Sequence, residues 1–146
     1  MTLPSPGTTQ VPIGADLFTW PAEHPCLLGG KCPDCGIVTF PASKACPRCG
    51  HFGMDTKELA RVGTVWTWTT QAFRPKHPYR APGTDEDFEP FVLGYVELDG
   101  EVRVEAQLLV DPSDAHIGME VELVIIPFCA GDGGDEVVTF AFAPRL

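Results

Sequence analysis

Two Cys-x-x-Cys pairs constrain the fold of this chain more than any other feature of its sequence. They lie in KCPDCGIVTFPASKACPRCG, residues 31–50, as Cys32 and Cys35 and as Cys46 and Cys49, with ten residues between the pairs. In each pair, proline follows the first cysteine and glycine follows the second. Proline stiffens the turn, and glycine permits the positive φ that lets backbone amides point back at sulfur. The doubled pattern predicts a metal site made of two knuckles.

Four thiolates suit a tetrahedral Zn²⁺ ion, and a site filled by four protein ligands is closed, whereas a catalytic zinc keeps one position open for water. We therefore expect a structural zinc that supplies folding energy to a segment with little core of its own. Iron in a rubredoxin-like site is the alternative metal. A redox dithiol is disfavoured because such pairs normally occur singly in a thioredoxin-like context. Cys26 and Cys129 lie outside the pattern, although Cys26 is a conceivable substitute ligand.

The length of 146 residues fits one ordinary domain or two small ones, and 44% hydrophobic residues are compatible with a real core. Fifteen glycines and fifteen prolines predict many turns and few long helices. No apolar run approaches the roughly 20 residues that span a bilayer. The N-terminus lacks the basic and apolar regions of a secretory signal peptide. We expect a cytoplasmic protein with no membrane partner.

The sequence changes character along the chain, and strand-like sequence begins at Gly63. The short helix that we predict before the first knuckle carries Leu17, Phe18 and Trp20, which either seek a partner surface or cover the chain's own core. The predicted segments are a flexible N-terminus at 1–14, this helix at 15–25, the zinc ribbon at 26–52, a connector at 53–61 and the barrel domain at 62–146.

Five segments after Gly63 are rich in β-branched and aromatic residues or alternate apolar with polar residues, as strands do. Asp99-Gly100 between two of them is a strong hairpin signal. Five short strands with little helix predict a mainly β fold, in which a zinc ribbon is followed by a five-stranded OB-fold barrel. The five segments are GTVWTWTTQAF, FVLGYVELDG, EVRVEAQLLV, MEVELVII and EVVTFAFA.

No catalytic constellation is recognisable in the sequence, which has no nucleophile elbow, phosphate loop or paired-histidine metalloprotease helix. The four histidines stand apart from any triad-like pattern. The loop at 73–90 has two interpretations, a solvent-exposed loop of mixed charge or a basic, aromatic-bearing lip that contacts phosphates and an adenine ring. The residues of this lip are Arg74, Lys76, His77, Tyr79 and Arg80.

The charge distribution disfavours nucleic acid as a partner. Residues 31–80 hold eight Lys/Arg and three Asp/Glu, whereas residues 81–146 hold two Lys/Arg and fifteen Asp/Glu. Phosphate backbones favour positive surfaces, and the predicted barrel is strongly negative. Trp66, Trp68 and Tyr95 also have almost no basic neighbours in their own strands. A nucleic-acid-binding zinc-ribbon and OB module is therefore the alternative function and not the expected one.

Taken together, the knuckles and the barrel resemble the acyl-CoA-associated OB-fold family, whose members carry a rubredoxin-like zinc ribbon before the barrel. The order of the motifs carries the resemblance, which spans roughly residues 15–142. The matching pieces are the ribbon from Leu27 to Cys49 with Phe40-Pro41 between the knuckles, Gly63-Thr64-Val65, FVLGYVELDG, and Ile117-Gly118-Met119-Glu120-Val121.

The resemblance implies a non-catalytic subunit bound to a thiolase-superfamily enzyme, a thiolase or an aldolase, or less commonly to a hydratase-like protein. Such complexes act on CoA thioesters in the breakdown of lipids, steroids or aromatic compounds, and the large partner carries the catalytic residues. In this context the lip at 74–80 becomes a candidate contact for the phosphates of CoA. A stand-alone acyl-CoA-binding protein is a further alternative. Sequence leaves open the acyl chain, the choice between thiolysis and retro-aldol cleavage, and the stoichiometry.

Overall fold

Alternating apolar residues in the second half of the chain form the walls of a barrel, on which a small cysteine-bearing sheet packs. The computed structural model describes residues 9–146. Helical structure in this range is one 3-10 turn at Asp132–Gly134, and no helix in it is long and apolar enough to cross a membrane. The strands are β1 (Gln10–Pro12), β2 (Leu28–Lys31), β3 (Val38–Thr39), β4 (Asp55–Glu58), β5 (Val62–Gln71), β6 (Phe91–Leu98), β7 (Val102–Leu108), β8 (Glu120–Ala130) and β9 (Glu136–Pro144).

The five predicted barrel segments form β5 to β9. Strands β5, β6 and β7 make an antiparallel meander, β8 pairs with β5, and β9 pairs with β8 along its length and in parallel with β7. The circuit β5-β6-β7-β9-β8 returns to β5, which is the connectivity of an OB-fold. The mainly β fold with a five-stranded barrel is therefore confirmed.

The hairpin predicted at Asp99-Gly100 joins β6 to β7, and both residues have positive φ, 52° and 68°. This turn aligns the two strands so that Val96 faces Val104 across the pair, and both are buried. Inward-facing residues of all five strands meet around Phe142, which has no exposed surface. The barrel interior is thus a packed apolar core.

The barrel has a seam between β7 and β9, which pair only at Leu108 and Phe142 in the described part of the chain. The first part of β9 pairs instead with β1, from Gln10 opposite Glu136 to Pro12 opposite Val138. The flexible N-terminus predicted for residues 1–14 is therefore wrong for residues 10–12, which form a strand. Residues 1–8 of that prediction lie outside the described residues.

The short helix predicted at 15–25 is also wrong. Phe18 forms an antiparallel bridge with Leu27, the Thr19 amide donates to the Cys26 carbonyl at 2.9 Å, and the Leu28 amide donates to the Leu17 carbonyl at 2.8 Å. These long-range hydrogen bonds hold the segment extended. Phe18 is buried, and its ring meets that of Trp20 edge-on at 6.2 Å. These aromatic residues pack against the chain's own core.

The ribbon sheet has strand order β3-β2-β4 and packs against the barrel at β9. Phe40, between the knuckles, meets Phe140 of β9 edge-on with ring centroids 5.6 Å apart. The Arg61 guanidinium bonds the carbonyl oxygens of Pro25 and Leu123 and so ties the ribbon side to β8. The predicted connector at 53–61 contains β4, which is part of the ribbon sheet.

We expect Phe40→Ala to lower the free energy of unfolding by about 2 kcal/mol, because it removes a half-buried ring from the contact between ribbon and barrel. Chemical denaturation followed by circular dichroism measures this change. Phe52→Ala is the matched control in the same ribbon, since its side chain is 76% exposed. It should change the stability by no more than about 0.5 kcal/mol. Equal effects of the two substitutions would contradict the docking role of Phe40.

Candidate metal centre and loop site

The two knuckles have the same backbone geometry. The Gly36 amide donates to the Cys32 carbonyl, and the Gly50 amide donates to the Cys46 carbonyl, both at 3.0 Å. Both glycines have φ of 79°, and a Cβ on either would meet nothing within 4 Å. Glycine is required here by backbone conformation and not by lack of space. This is the turn that the sequence predicts.

Backbone amides in the knuckles point at sulfur. The amides of Arg48 and Cys49 each donate to Cys46 Sγ at 3.4 Å, and the Cys35 amide donates to Cys32 Sγ at 3.5 Å. The amide of Cys49, together with that of Arg48, lowers the pKa of the Cys46 thiol to about 6 against the opposing effect of desolvation. The amide of His51 lowers the pKa of Cys49, but hydrogen bonding to Cys32 and desolvation outweigh it and raise that pKa to about 12. The amides therefore favour the thiolate at Cys46, the form that binds metal.

The four knuckle sulfur atoms form one cluster in which all lie within 4.8 Å of one another. Cys32 Sγ and Cys49 Sγ are 3.6 Å apart, as are Cys35 Sγ and Cys46 Sγ. A tetrahedron with Zn–S bonds of about 2.3 Å has edges of about 3.8 Å, so the donor set fits a closed zinc site. No fifth ligand group joins the cluster within residues 9–146.

The thiols predicted to lie outside the quartet do so. Cys26 contacts the His24 carbonyl at 3.7 Å, and neither it nor Cys129 belongs to the cluster. The sequence analysis missed a link between the knuckles, in which His51 Nδ1 lies 2.9 Å from Asp34 Oδ2. Asp34 lies inside the first knuckle and His51 directly follows the second. Two knuckles that share one metal would therefore bring these two side chains together.

In the loop between β5 and β6, two predicted lip residues support each other. The Arg74 guanidinium lies 5.2 Å from the centre of the Tyr79 ring and donates to the Ala81 carbonyl at 2.7 Å. Tyr79 in turn meets Phe128 of β8 edge-on at 5.8 Å. Arg74 and Tyr79 are half-buried, and they fix the loop against the end of the barrel.

Two cavities adjoin this loop and share Arg74 and Phe88. The first, of about 550 Å³, is lined by Lys76 and His77 and also by Asp85. The second, of about 530 Å³, has a mixed lining that includes four aromatic residues and the carboxylates of Asp87 and Glu89. The aromatic residues are Tyr79, Phe88, Phe91 and Phe128. Arg80 is exposed and lines neither cavity. The loop thus places a cavity that contains cationic side chains beside one that contains four aromatic rings.

Both modules match known family models. Residues 19–55 match the ChsH2 rubredoxin-like zinc ribbon domain, and residues 56–125 match the ChsH2 C-terminal OB-fold domain. The chain belongs to this ChsH2 family of zinc-ribbon and OB-fold proteins. The family resemblance drawn from the sequence is therefore confirmed, and the zinc-ribbon match together with the cysteine cluster supports a structural Zn²⁺.

Similar proteins cover most of this chain. A DUF35 domain-containing scaffold protein of Methanocaldococcus jannaschii is 33% identical over 82% of this chain and 81% of the relative. The benzoylsuccinyl-CoA thiolase subunit BbsA of Thauera aromatica is 26% identical over 87% of this chain and 83% of the relative. Among solved structures, a chain of the Ltp2-ChsH2(DUF35) aldolase matches with a TM-score of 0.60 and 30% identity, over 83% of this chain and 86% of that chain.

We expect Cys46→Ser to abolish stoichiometric zinc binding and to unfold the ribbon, because three remaining thiols leave the metal incompletely held and the ribbon depends on it. Elemental analysis of zinc per chain, with limited proteolysis of the ribbon, measures both effects. Cys26→Ser is the matched control and should retain the metal. Loss of zinc from the control instead would identify Cys26 as a ligand.

Proposed function

We propose that this chain is a non-catalytic accessory subunit of a thiolase-superfamily enzyme, a thiolase or retro-aldolase, that acts on acyl-CoA thioesters. The observation that carries the proposal is the match of both modules, nearly end to end, to chains named as a thiolase subunit, as part of an aldolase and as a scaffold. In such a complex the large partner performs the chemistry. This chain stabilises the partner and helps to form the CoA and acyl site.

We further propose Cys32, Cys35, Cys46 and Cys49 as the ligands of a structural zinc. When bound, the metal holds the two knuckles together and adds no reactive site, since its four positions are filled by sulfur. The chain's own residues then do the positioning. With the knuckles fixed, Phe40 is presented to Phe140 and the ribbon keeps one orientation on the barrel.

The basic lip is the proposed contact for CoA. Lys76, His77 and Arg80 are exposed and free to meet phosphate oxygens, while Arg74 and Tyr79 hold the loop in shape. The adjoining cavity offers four aromatic rings to a planar base, beside the carboxylates of Asp87 and Glu89. The exposed cations of the lip, next to these rings, match an anionic ligand with an aromatic end, which supports a CoA thioester held between the lip and the partner.

We expect mild affinity purification of the tagged chain from its native cell to yield a thiolase-superfamily protein in near-stoichiometric amount, identified by mass spectrometry. A hydratase-like chain would keep the accessory role and contradict the thiolase assignment. Recovery of the protein alone would contradict the accessory role and favour a stand-alone acyl-CoA-binding protein. Recovery with RNA or DNA would favour the nucleic-acid-binding alternative.

We expect the double substitution Lys76→Ala and Arg80→Ala to raise the KM of the purified complex for its CoA thioester about 10-fold, equivalent to about 1.4 kcal/mol, because two phosphate contacts are lost. The charge-matched control is Lys31→Ala with Lys44→Ala on the ribbon, where both side chains are exposed, and it should leave KM unchanged. Steady-state kinetics of complexes with verified stoichiometry measures the difference. An unchanged KM in the lip variant would refute the CoA contact.

A further inference from the structure

We propose that the outer face of β5, β6 and β7 is the surface on which the partner enzyme subunit docks. The identity of that occupant rests on the proposed function, whereas the surface itself is defined by the structure. We call it the aromatic face. Its members are Trp66, Leu93, Tyr95, Glu97, Arg103 and Glu105.

Large side chains on this face are exposed and yet held in place. Trp66 is 46% exposed and Tyr95 is 41% exposed, and their rings meet edge-on at 6.3 Å. The Arg103 guanidinium lies 3.8 Å from the centre of the Trp66 ring, and its Nε is 3.6 Å from Glu97 Oε1. Because these side chains are already held in place, little side-chain conformational entropy is lost when a partner covers them. Trp, Tyr and Arg are also the residues enriched in interface hot spots.

A backbone irregularity shapes β5 beside Trp66. The register of β5 against β6 shifts between Val65 and Thr67, which places Trp66 at a β-bulge. Val65 is buried in the core and Trp66 is turned to solvent, as alternation predicts, but the next residue, Thr67, pairs with the exposed Tyr95. Bulges re-aim side chains in this way. The distortion therefore brings Thr67 to the same outer face as Trp66 and Tyr95.

A depression beside Tyr95 completes the face. It has a volume of about 160 Å³, and Thr67, Thr69, Leu93 and Glu105 line it together with Tyr95. Its wall is mostly apolar apart from threonine hydroxyls and one carboxylate, so it suits a single apolar side chain projecting from another protein.

The charge of the aromatic face indicates which kind of partner can bind there. Two carboxylates, Glu97 and Glu105, flank the single cation Arg103, and residues 81–146 hold two Lys/Arg against fifteen Asp/Glu. Nucleic acids and anionic membranes are repelled by such a surface. A second copy of this chain would bring the same acidic groups together across a two-fold axis. A protein surface with an apolar side chain surrounded by basic residues is complementary, and we assign that surface to the partner subunit.

The aromatic face is continuous with the ribbon. Glu97 and Arg103 also line a cleft of about 340 Å³, and Ile37 and Val38 of the ribbon form its opposite side. The aromatic face therefore adjoins the ribbon at Ile37 and Val38. This continuity connects the docking surface with the metal-dependent part of the fold.

The test uses the full chain and the thiolase-superfamily subunit that purifies with it. We expect Trp66→Ala with Tyr95→Ala to weaken their association about 30-fold or more, measured as Kd by biolayer interferometry. Phe52→Ala, which removes an exposed aromatic residue of the ribbon, should alter Kd by no more than about twofold. Zinc content and circular dichroism establish that each variant is folded.

A second measurement does not depend on variants. Hydroxyl-radical footprinting of the wild-type complex should show slower oxidation of Trp66 and Tyr95 than in the free chain. If the wild-type chain binds the subunit but oxidation and the variant's Kd are both unchanged, the docking face is wrong while the proposed function stands. A wild-type chain that binds no such subunit overturns both. Self-association abolished by the double substitution, or binding of single-stranded oligo(dT) abolished by it, would also overturn the assignment.

Discussion

Closure of the barrel seam between β7 and β9 is the constraint on which the rest of the architecture depends. The two strands pair at Leu108 and Phe142 only, so other parts of the chain must close the remaining length. Strand β1 pairs with the first part of β9, and the ribbon presents Phe40 to Phe140. An open seam would expose apolar core and unpaired strand edges, both of which are costly. The N-terminal strand and the ribbon therefore help to close the barrel.

The contact between Phe40 and Phe140 also links the cysteine cluster to the barrel. The ribbon sheet is small, since β3 has two residues and β2 and β4 have four each, and such a sheet cannot stabilise itself. A closed metal site supplies the missing folding energy. Leu27 is fully buried and belongs to the same apolar cluster as Phe142. The core is thus continuous across the boundary between the two family domains, so a metal bound by the ribbon would stabilise both domains.

The features predicted correctly are those set by local sequence. Cysteine spacing with proline and glycine determines each knuckle, and alternation of apolar residues determines each barrel strand, whatever the surroundings. The two failures concern segments whose conformation is decided by distant residues. Gln10–Pro12 becomes a strand because β9 offers it a free edge, and Phe18 is extended because it bridges Leu27. The bulge at Trp66 was also beyond prediction, since it is a property of how β5 registers against β6. The alternation of apolar and polar residues does not show where the register between two strands shifts.

OB-folds commonly bind oligonucleotides through the face of their second and third strands and the loop after the first strand. The aromatic face and the basic lip of this barrel lie on the same elements. Here the outer face of these strands presents Glu97 and Glu105 beside Trp66 and Tyr95. The aromatic residues can contact a protein, whereas the two carboxylates repel a phosphate backbone. Strand β5 leads directly from Trp66 to the loop that begins after Gln71. A partner bound on the aromatic face is thereby held at a fixed distance from the basic lip, because a hydrogen-bonded strand does not stretch. Under the proposed function, an accessory chain without catalytic groups can shape a ligand site by this means, since β5 fixes where the loop begins and the contacts of Arg74 and Tyr79 fix the loop against the barrel.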